Sequence, residues 1–297
     1  MNYDIIGDIH GHADRLQTLL KALGYEVKRG AWRHSTRTAI FVGDLIDRGP
    51  GQLATLNLVR DMVDADAAQV CMGNHELNAI AYATPDPNRD GHFLRARHGE
   101  KGEKNRRQHQ AFLSEVGADS AEHQAWTDWF TQLPIWIEKP EFRVVHACWS
   151  PLHVEALRPL LADDARLTPG LIEAANRPGD LVHEALDILL KGEEVTLPEG
   201  RTFTDKDGHV RDAIRTRWWD PTRTTYSAAY IGPSGVEIPD VPIENWRPLP
   251  EPDRPTFIGH YWFDPAEALA PASRRVACVD FSVAKGGPMT AYRFDGE

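Results

Sequence analysis

The sequence TAIFVGDLIDRGP at residues 38–50 places a polar, glycine-containing turn directly after a short apolar run. The apolar residues 38–42 predict a β-strand, and the apolar residues between 53 and 63 recur at helical spacing and predict a helix after the turn. A similar strand and helix precede this stretch, and a third strand is predicted at 67–72. Alternating strands and helices are typical of an α/β core, which is therefore the predicted fold class.

The rest of the chain is predicted to continue this mixed organisation. Helices are predicted at 105–117, 121–133 and 151–191, and strands at 142–147, 256–259, 275–281 and 289–294. Six prolines in residues 239–255 favour an extended connection there. Because the sequence shows neither an internal repeat nor a clear linker, it predicts a single domain, residues 1–297, with helical insertions around 84–133 and 151–200.

The chain is acidic overall, with 33 Lys plus Arg against 44 Asp plus Glu and a formal net charge of −11. That balance argues against binding nucleic acid or an anionic membrane through bulk charge, but local charge or a bound metal can still attract an anionic substrate. No apolar run approaches the roughly 18 residues of a membrane span, and the N-terminal residues do not resemble a signal peptide. The widely separated Cys71, Cys148 and Cys278 predict buried, reduced thiols in a cytoplasmic protein.

Five predicted strands each end in polar residues that are suited to holding metal ions. These residues are Asp8 and His10, Asp44 and Asp47, Asn74 and His75, His146, and His260. We expect the side chains to meet at one edge of the sheet, because ligands bind beyond the carboxyl ends of its strands. Asp, His and Asn without a thiolate suit divalent ions such as Mn²⁺, Fe or Zn²⁺. Glycines at positions 7, 43, 73 and 259 are expected to allow sharp turns and to leave space for metal and phosphate.

The strings GDIHG, GDLIDRG and GNHE, beginning at Gly7, Gly43 and Gly73 and followed by His146 and His260, resemble one known group. This is the phosphoprotein-phosphatase group of calcineurin-like metallophosphoesterases. The resemblance implies an α/β sandwich of two mixed β-sheets flanked by helices, with a dinuclear metal centre at one edge. It also implies two divalent ions, with Mn²⁺ expected first and Fe or Zn²⁺ as alternatives.

The resemblance assigns roles to individual residues. The implied metal ligands are Asp8, His10, Asp44, Asn74, His146 and His260. Asp44 would bridge the two ions, and Asn74 would also face the substrate. His75, oriented by Asp47, would protonate the leaving group, and Arg48 would bind the substrate phosphate with its planar guanidinium.

Two regions depart from the eukaryotic protein phosphatases. Met72 stands before Gly73 where those enzymes usually have Arg, and residues 279–287 replace their SAPNYC signature. The ending is more similar to a bacterial and phage branch, which includes small protein phosphatases and diadenosine polyphosphate hydrolases. The departures leave the metal chemistry intact but make a protein substrate less certain.

Two basic features have no fixed role in this comparison. A second phosphate-binding arginine is expected near Trp218, where Arg217 is favoured over Arg215, and the alternative is an arginine packed on a tryptophan face. Residues 89–107 contain seven Lys or Arg and three Asp or Glu. They predict either an arm that recognises a second phosphate or a polyphosphate chain, or a solvated, mobile loop.

The sequence leaves three functions open. The first hypothesis is a bacterial metal-dependent Ser/Thr-type protein phosphatase or phosphomonoesterase, acting on phosphorylated protein or small phosphoesters. The second is hydrolysis of diadenosine tetraphosphate or another nucleoside polyphosphate, which the basic segment favours. The third is a phosphate-binding protein without activity, which the complete set of ligand positions argues against. The oligomeric state is not predicted.

Overall fold

The computed structural model describes residues 2–204, 210–232, 235–264 and 269–296. Within these ranges the helices are α1 (Ala13–Leu23), α2 (Gln52–Asp64), α3 (Asn74–Ala83), α4 (Gly99–Gln108), α5 (Gln110–Val116), α6 (Ala121–Phe130), α7 (Pro151–Leu157), α8 (Leu171–Ala174), α9 (Leu181–Lys191) and α10 (Tyr226–Ala229). The strands are β1 (Asn2–Ile6), β2 (Glu26–Lys28), β3 (Ala31–Arg33), β4 (Arg37–Phe41), β5 (Ala68–Val70), β6 (Trp136–Glu138), β7 (Arg143–Val145), β8 (Glu194–Thr196), β9 (Phe203–Thr204), β10 (Val210–Arg211), β11 (Ala213–Thr216), β12 (Tyr230–Ile231), β13 (Thr256–Ile258), β14 (Val276–Cys278) and β15 (Ala291–Phe294). A 3₁₀ turn occupies Val283–Lys285.

Two four-stranded mixed sheets form the centre of the molecule. The first has the order β15-β1-β4-β5, with β1, β4 and β5 parallel and β15 antiparallel to β1. The second has the order β14-β13-β7-β6, with β14, β13 and β7 parallel and β6 antiparallel to β7. The predicted fold class, an α/β sandwich of two mixed sheets flanked by helices, is confirmed.

Alternation along the strands decides which side chains lie between the sheets. Ile5 of β1 belongs to the apolar cluster between the two sheets, whereas its neighbour Ile6 packs into the cluster that includes the helices. Ile40 and Phe41 of β4 divide in the same way. The inter-sheet cluster is aromatic at its centre, where the Phe142 ring lies 5.1 Å from the Tyr3 ring. This period of two is what a strand buried on both faces requires.

Helices α1 and α2 cover the outer face of the first sheet. Leu16 and Leu20 of α1 and the apolar stripe of α2 are buried, as their helical spacing predicts. The carboxylate of Glu115, on α5, caps the start of α2 by accepting the backbone N–H groups of Gln52 at 2.8 Å and Leu53 at 2.9 Å. A negative group at this end of a helix satisfies free N–H donors and interacts favourably with the helix dipole.

Several short elements are absent from the sequence prediction. They are the β2–β3 hairpin, the pair β9–β10 and the small sheet β12-β11-β8. These strands are only two to four residues long, so their apolar periodicity is too weak to predict. The helix predicted at 105–117 is two helices, α4 and α5, with His109 between them. The single domain stays a prediction.

A buried carboxylate joins three strands of the first sheet. Asp4 on β1 is fully buried, and its Oδ1 accepts a hydrogen bond from Arg37 Nε of β4 at 2.9 Å and from Arg293 Nε of β15 at 2.9 Å. Two guanidinium partners offset the cost of removing the carboxylate from water. The side chain thereby ties β15, near the end of the described chain, to β1 at its beginning.

The cysteines and the helix lengths agree with two further sequence predictions. Cys71, Cys148 and Cys278 are buried free thiols, and burial raises the pKa of each. Within the described ranges, none of the helices combines the length and the apolar character needed to cross a membrane.

Candidate active site

The predicted ligand residues converge at one edge of the sandwich, but they come from two sheets. Strands β1, β4 and β5 of the first sheet supply the residues of the three sequence motifs. His146 follows β7 and His260 follows β13, both in the second sheet. Our expectation that all of them lie at the edge of a single sheet was therefore wrong. They meet because the parallel strands of both sheets end on the same side of the molecule.

Asp44 lies at the centre of this cluster. Its Oδ2 is 3.6 Å from His10 Nε2, and its Oδ1 is 3.4 Å from His146 Nε2. Two groups of side chains able to hold a metal ion share this carboxylate, one with His10 and His75 and the other with His146 and His260. A carboxylate with one oxygen toward each group suits a bridging position between two ions.

Asp8 and Asn74 complete the cluster on its two sides. Asp8 Oδ2 is 4.0 Å from His10 Nε2, and both Asp8 oxygens accept the backbone N–H of His260 at 3.2 Å. Asn74 Oδ1 lies 2.9 Å from His260 Nδ1 and 3.2 Å from His146 Nε2. All the metal-ligand candidates from the sequence are thus brought together, and their binding of metal stays a prediction.

The donor set fits divalent ions. His10 Nδ1 contacts the carbonyl oxygen of Ile46 at 2.9 Å, and His146 Nδ1 contacts that of Val42 at 2.8 Å. Such a bond to the backbone fixes the ring and directs Nε2 toward the cluster. Among the described residues, the buried Nε2 atoms of His10 and His260 have no hydrogen-bond partner. Because unsatisfied buried polar atoms are costly, His10 Nε2, which faces Asp44, is well placed to be a metal ligand.

The ionisation of the histidines depends on burial and on neighbouring charge. Burial and the nearby His75 lower the pKa of His10 to about 3. Burial, followed by the charge of Arg215, holds the pKa of His260 well below its usual range. His10 and His260 are therefore neutral near pH 7, which is the form that binds metals. Burial opposes protonation of His146, but the Asp44 carboxylate raises its pKa to about 10, so a metal held there would displace a proton.

The backbone at the strand ends adopts unusual conformations. His10, Asp44, Asp47, Arg48 and His260 have positive φ angles of 47°, 51°, 72°, 70° and 70°. Residues with a Cβ rarely occupy this region, and each such conformation costs on the order of 1–3 kcal/mol. Their concentration at one edge indicates that packing around the cluster, rather than local preference, holds these residues in place.

The glycines before the ligands have two different roles. Gly43 has a φ of 97° and provides the turn that the sequence analysis expected. Gly259 does not have a positive φ, but a Cβ on it would lie 2.1 Å from Asp8 Oδ1. Gly73 is restricted similarly, with Asp44 Oδ1 at 2.2 Å from a Cβ position. Glycine is required at positions 259 and 73 because the backbone there passes close to the side chains of Asp8 and Asp44, respectively.

The predicted proton-donor pair is formed. His75 Nδ1 is 2.5 Å from Asp47 Oδ2, and the backbone N–H of Asp47 donates to Gln52 Oε1 at 2.7 Å. The other ring nitrogen, His75 Nε2, lies 3.8 Å from Asp44 Oδ2 and faces the cluster. Burial opposes protonation of His75, but the carboxylates of Asp44 and Asp47 raise its pKa above the usual value. His75 can therefore hold a proton beside the site.

Arg48 contacts an aromatic side chain that the sequence analysis did not identify. The exposed Arg48 guanidinium lies 4.2 Å from the centre of the Trp262 ring, and Lys285 Nζ lies 5.1 Å from the same centre. The buried Asp280 accepts the backbone N–H of Trp262 at 2.7 Å and of Ser282 at 2.9 Å. Asp280 follows β14, so its position after a parallel strand is the signal that could have identified it.

The last residue of the GNHE string has a structural role. Both oxygens of Glu76 are buried and accept backbone N–H groups, from Asp44, Leu45 and Gly73, each at 2.9 Å. Burial, followed by the Asp44 charge, raises the pKa of Glu76 to about 7. The side chain joins the loop after β4 to the loop after β5, which places Asp44 beside Asn74.

The basic features have more specific positions than the sequence indicated. Arg215 is the arginine whose charge acts on His260, and its Nε contacts Glu194 at 3.3 Å. The favoured assignment of Arg217 to phosphate stays a prediction. In residues 89–107, Arg95 and Arg97 bond to neighbouring elements, and α4 forms the end of the segment. The two arginines hold this part of the segment against α3, and both alternatives for its role stay predictions.

Fold and cluster together agree with a comparison of the sequence with known families. The calcineurin-like phosphoesterase profile matches residues 1–168, which is more than half of the chain. The chain belongs to the calcineurin-like phosphoesterase family.

Individual relatives match over shorter stretches. An asymmetrical bis(5′-nucleosyl)-tetraphosphatase of Halalkalibacterium halodurans is 50% identical over 76 residues, which cover 25% of this chain and 31% of that protein. A symmetrical bis(5′-nucleosyl)-tetraphosphatase of Vibrio cholerae is 36% identical over 150 residues, covering 50% of this chain and 45% of the relative. The matches thus span less than half the length of these relatives. A solved cold-active protein tyrosine phosphatase has a TM-score of 0.52 at 18% identity, covering 99% of this chain and 73% of its own, and shows the fold.

Proposed function

We propose that this chain is a metal-dependent hydrolase of nucleoside polyphosphates, with a dinucleoside tetraphosphate as the substrate class. The observation that carries the hydrolytic part is the Asp44 carboxylate shared by two groups of metal-binding side chains, with the His75–Asp47 pair beside it. Two divalent ions at such a site lower the pKa of a bound water and neutralise charge on the phosphoryl oxygens. We expect Mn²⁺ in both positions.

The protein side chains divide the remaining work. The exposed Arg48 guanidinium binds two oxygens of the phosphoryl group that is attacked, since its planar donors match phosphate geometry. His75 gives the proton on Nε2 to the leaving oxygen, because its Nδ1 is engaged by Asp47. Asp47 keeps the ring in this orientation throughout.

The cationic side chains of Arg48 and Lys285 beside Trp262 favour a polyphosphate substrate over a single phosphate group. Arg48 and Lys285 both lie against the Trp262 ring, whose centre is 6.0 Å from that of His10, so two positive charges lie beside the ligand cluster. A chain of phosphates presents several charges in a row, whereas a simple ester presents one. The names of the relatives, bis(5′-nucleosyl)-tetraphosphatases, support the same substrate class.

Dephosphorylation of a phosphorylated protein is the second candidate. The ligand cluster and the His75–Asp47 pair serve both reactions, and the exposed position of Arg48 makes the phosphate-binding guanidinium accessible to a phosphate on a protein surface. This candidate does not account for Lys285 beside Trp262.

One comparison of substrates tests the proposal. The Mn²⁺-loaded protein is assayed on diadenosine tetraphosphate, a phosphoserine peptide and p-nitrophenyl phosphate. We expect the highest kcat/KM on the dinucleotide and no turnover by Asp44→Asn, which loses the shared ligand. Preference for the peptide would establish the second candidate, and no metal-dependent hydrolysis of the three would contradict both.

A variant of Lys285 tests the substrate class separately. We expect Lys285→Gln to lower kcat/KM on diadenosine tetraphosphate by about tenfold, the value of one charge-assisted hydrogen bond, and to have a smaller effect on p-nitrophenyl phosphate. Arg274→Gln, a change of an exposed arginine outside the cluster, is the matched control. Equal effects of Lys285→Gln on both substrates would contradict the polyphosphate assignment.

A further inference from the structure

We propose that His109 is a positioning residue that holds Asp47 in place and, through Asp47, orients the proton-donating His75. The inference rests on the proposed hydrolysis, for which His75 is the proton donor. His109 lies between α4 and α5, outside the sequence strings that define the site, and it is 1% exposed.

The proposal begins with one close contact. His109 Nδ1 is 2.8 Å from Asp47 Oδ2, the same oxygen that contacts His75 Nδ1 at 2.5 Å. The contact is electrostatic, between the imidazole nitrogen and the carboxylate oxygen. The two imidazole rings approach at 85° with centres 6.4 Å apart. A carboxylate oxygen between two imidazoles has less freedom to rotate than one with a single partner.

The charge of Asp47 depends on this neighbour. Burial alone would raise the pKa of Asp47, but His109 and then His75 lower it below the usual range. The lowered pKa favours the ionised form of Asp47, and an ionised partner holds the Nδ1 proton of His75. The geometry and the charge thus assign the same role to His109.

The backbone at His109 is fixed by the two helices. Its N–H donates to the carbonyl of Asn105 at 3.1 Å, and its own carbonyl accepts the N–H of Leu113 at 2.9 Å. The ring also contacts Tyr82 on α3, with centres 5.7 Å apart. His109 therefore has a defined position relative to the helix that carries His75.

Two further connections join the α4–α5 pair to the proton-donor elements. The Arg95 guanidinium donates to Asn78 on α3 and to Gln108, which precedes His109, both at 2.7 Å. Glu115 at the other end of α5 caps α2, the helix that follows the Asp47 loop. The helical pair is thus held on both sides of the His75–Asp47 contact. This explains why Arg95 and Arg97 of the basic segment point inward, toward α3.

Apart from the contact with Asp47, neither ring nitrogen of His109 has a partner among the described residues. A residue kept only for packing would be better replaced by phenylalanine, since a buried polar atom without a partner costs about 1–3 kcal/mol. The neighbouring His123, also buried, offers a comparison. It packs on Phe112 with ring centres 5.7 Å apart, and its Nδ1 accepts the N–H of Asp119 at 3.2 Å, so its role lies within the helical segment.

The test uses leaving groups of different basicity. A proton donor matters most when the leaving oxygen is basic, so phenyl phosphate depends on it more than p-nitrophenyl phosphate. We expect His109→Phe to lower kcat about tenfold on phenyl phosphate and about twofold on p-nitrophenyl phosphate, with KM and Mn²⁺ content unchanged. His109→Asn retains a donor and should keep more of the activity on phenyl phosphate. Equal loss on both esters would overturn the proposal.

Two controls separate positioning from folding. His123→Phe should lower stability without changing the ratio of the two rates, because His123 lies away from Asp47. In an Asp47→Asn background, His109→Phe should cause no further change in that ratio, since the residue through which it acts is already altered. A further change there would contradict action through Asp47.

A readout without turnover distinguishes failure of this inference from failure of the proposed function. The Nδ1–H signal of His75 in NMR spectra reports its contact with Asp47. It should shift in His109→Phe and remain in place in His123→Phe. An unchanged signal in His109→Phe would overturn the positioning role, whereas a wild-type protein that hydrolyses no phosphoester would contradict the proposed function alone.

Discussion

At the scale of residues, the histidines of the site differ in protonation because their surroundings differ. His10 and His260 are neutral because burial lowers their pKa, whereas His75 lies beside two carboxylates that raise its pKa. Neutral imidazoles bind metals and a protonated imidazole donates, so neighbouring histidines are suited to different tasks. Burial is common to all three, and the close contact of His75 with the Asp47 carboxylate at 2.5 Å distinguishes it.

Replacing the proton donor should separate chemistry from metal binding. We expect His75→Asn to lower kcat about 10²–10⁴-fold, the usual contribution of general acid catalysis, while Mn²⁺ content changes little. Steady-state kinetics and metal analysis of the purified variant provide the measurement. Loss of metal with retained turnover in excess Mn²⁺ would show that His75 is a ligand rather than the proton donor.

Residues in short strings after strands could be predicted, and residues positioned by tertiary contacts could not. Asp8, Asp44 and His75 follow apolar runs directly, so their common edge is predictable. His109 and Trp262 reach the site because separate loops fold toward it. The sequence contains no periodicity that relates a residue between two helices to an aspartate more than sixty positions earlier.

At the scale of elements, the α4–α5 pair acts as a support for the strand-end loops. Glu115 caps α2, His109 contacts Asp47, and Arg95 bonds to α3. The sequence analysis predicted a helix here but not its division at His109, since the apolar spacing continues across the break. His109, at the junction of the two helices, contacts Asp47.

Loss of the α2 cap should lower stability by a defined amount. We expect Glu115→Ala to reduce the free energy of unfolding by about 1 kcal/mol, within the range of other N-terminal caps. Urea denaturation midpoints provide the measurement, and Glu103→Ala on the exposed side of α4 is the matched control. If the two variants had equal midpoints, the cap would contribute nothing.

The stability of the helical segment should depend on pH through His123. Burial and the charge of Arg97 lower the pKa of His123, so the unfolded chain takes up a proton near its ordinary value of about 6.5 before the folded chain does. Stability is therefore fully present above that pH and falls as the pH decreases below it. We expect the metal-free wild type to lose more free energy of unfolding than His123→Phe between pH 7.5 and 5.5. Parallel pH dependence in the two proteins would contradict this assignment.

At the scale of the whole molecule, the candidate metal centre depends on the contact between two sheets. Asp44 comes from the first sheet and His146 from the second, and the cluster at Phe142 holds the sheets together. Apolar runs predicted most strands of both sheets, but sequence cannot show which strands share a sheet. Strand pairing joins distant segments, such as Tyr3 with Phe294, and the sheets then pack through contacts such as Phe142 with Phe294, whose rings are 4.8 Å apart.

Removing the central aromatic ring should destabilise the sandwich and weaken metal binding together. Phe142 is fully buried, and we expect Phe142→Ala to cost about 3–5 kcal/mol of unfolding free energy, with a smaller loss for Phe142→Leu. Because the ligands come from both sheets, Mn²⁺ affinity should fall as well. Denaturation and metal titration test this, and undiminished Mn²⁺ affinity in the destabilised variant would contradict the dependence.

The pairing of β1 with β15 has a consequence for synthesis on the ribosome. Translation produces β1 long before β15, yet Tyr3 pairs with Phe294, and Asp4 receives its second guanidinium from Arg293. Until those residues emerge from the exit tunnel, one edge of the nascent first sheet lacks its neighbour, and unpaired edges invite association with other chains. The sheet that carries the first motif loops is thus completed after nearly all of the described polypeptide has been made.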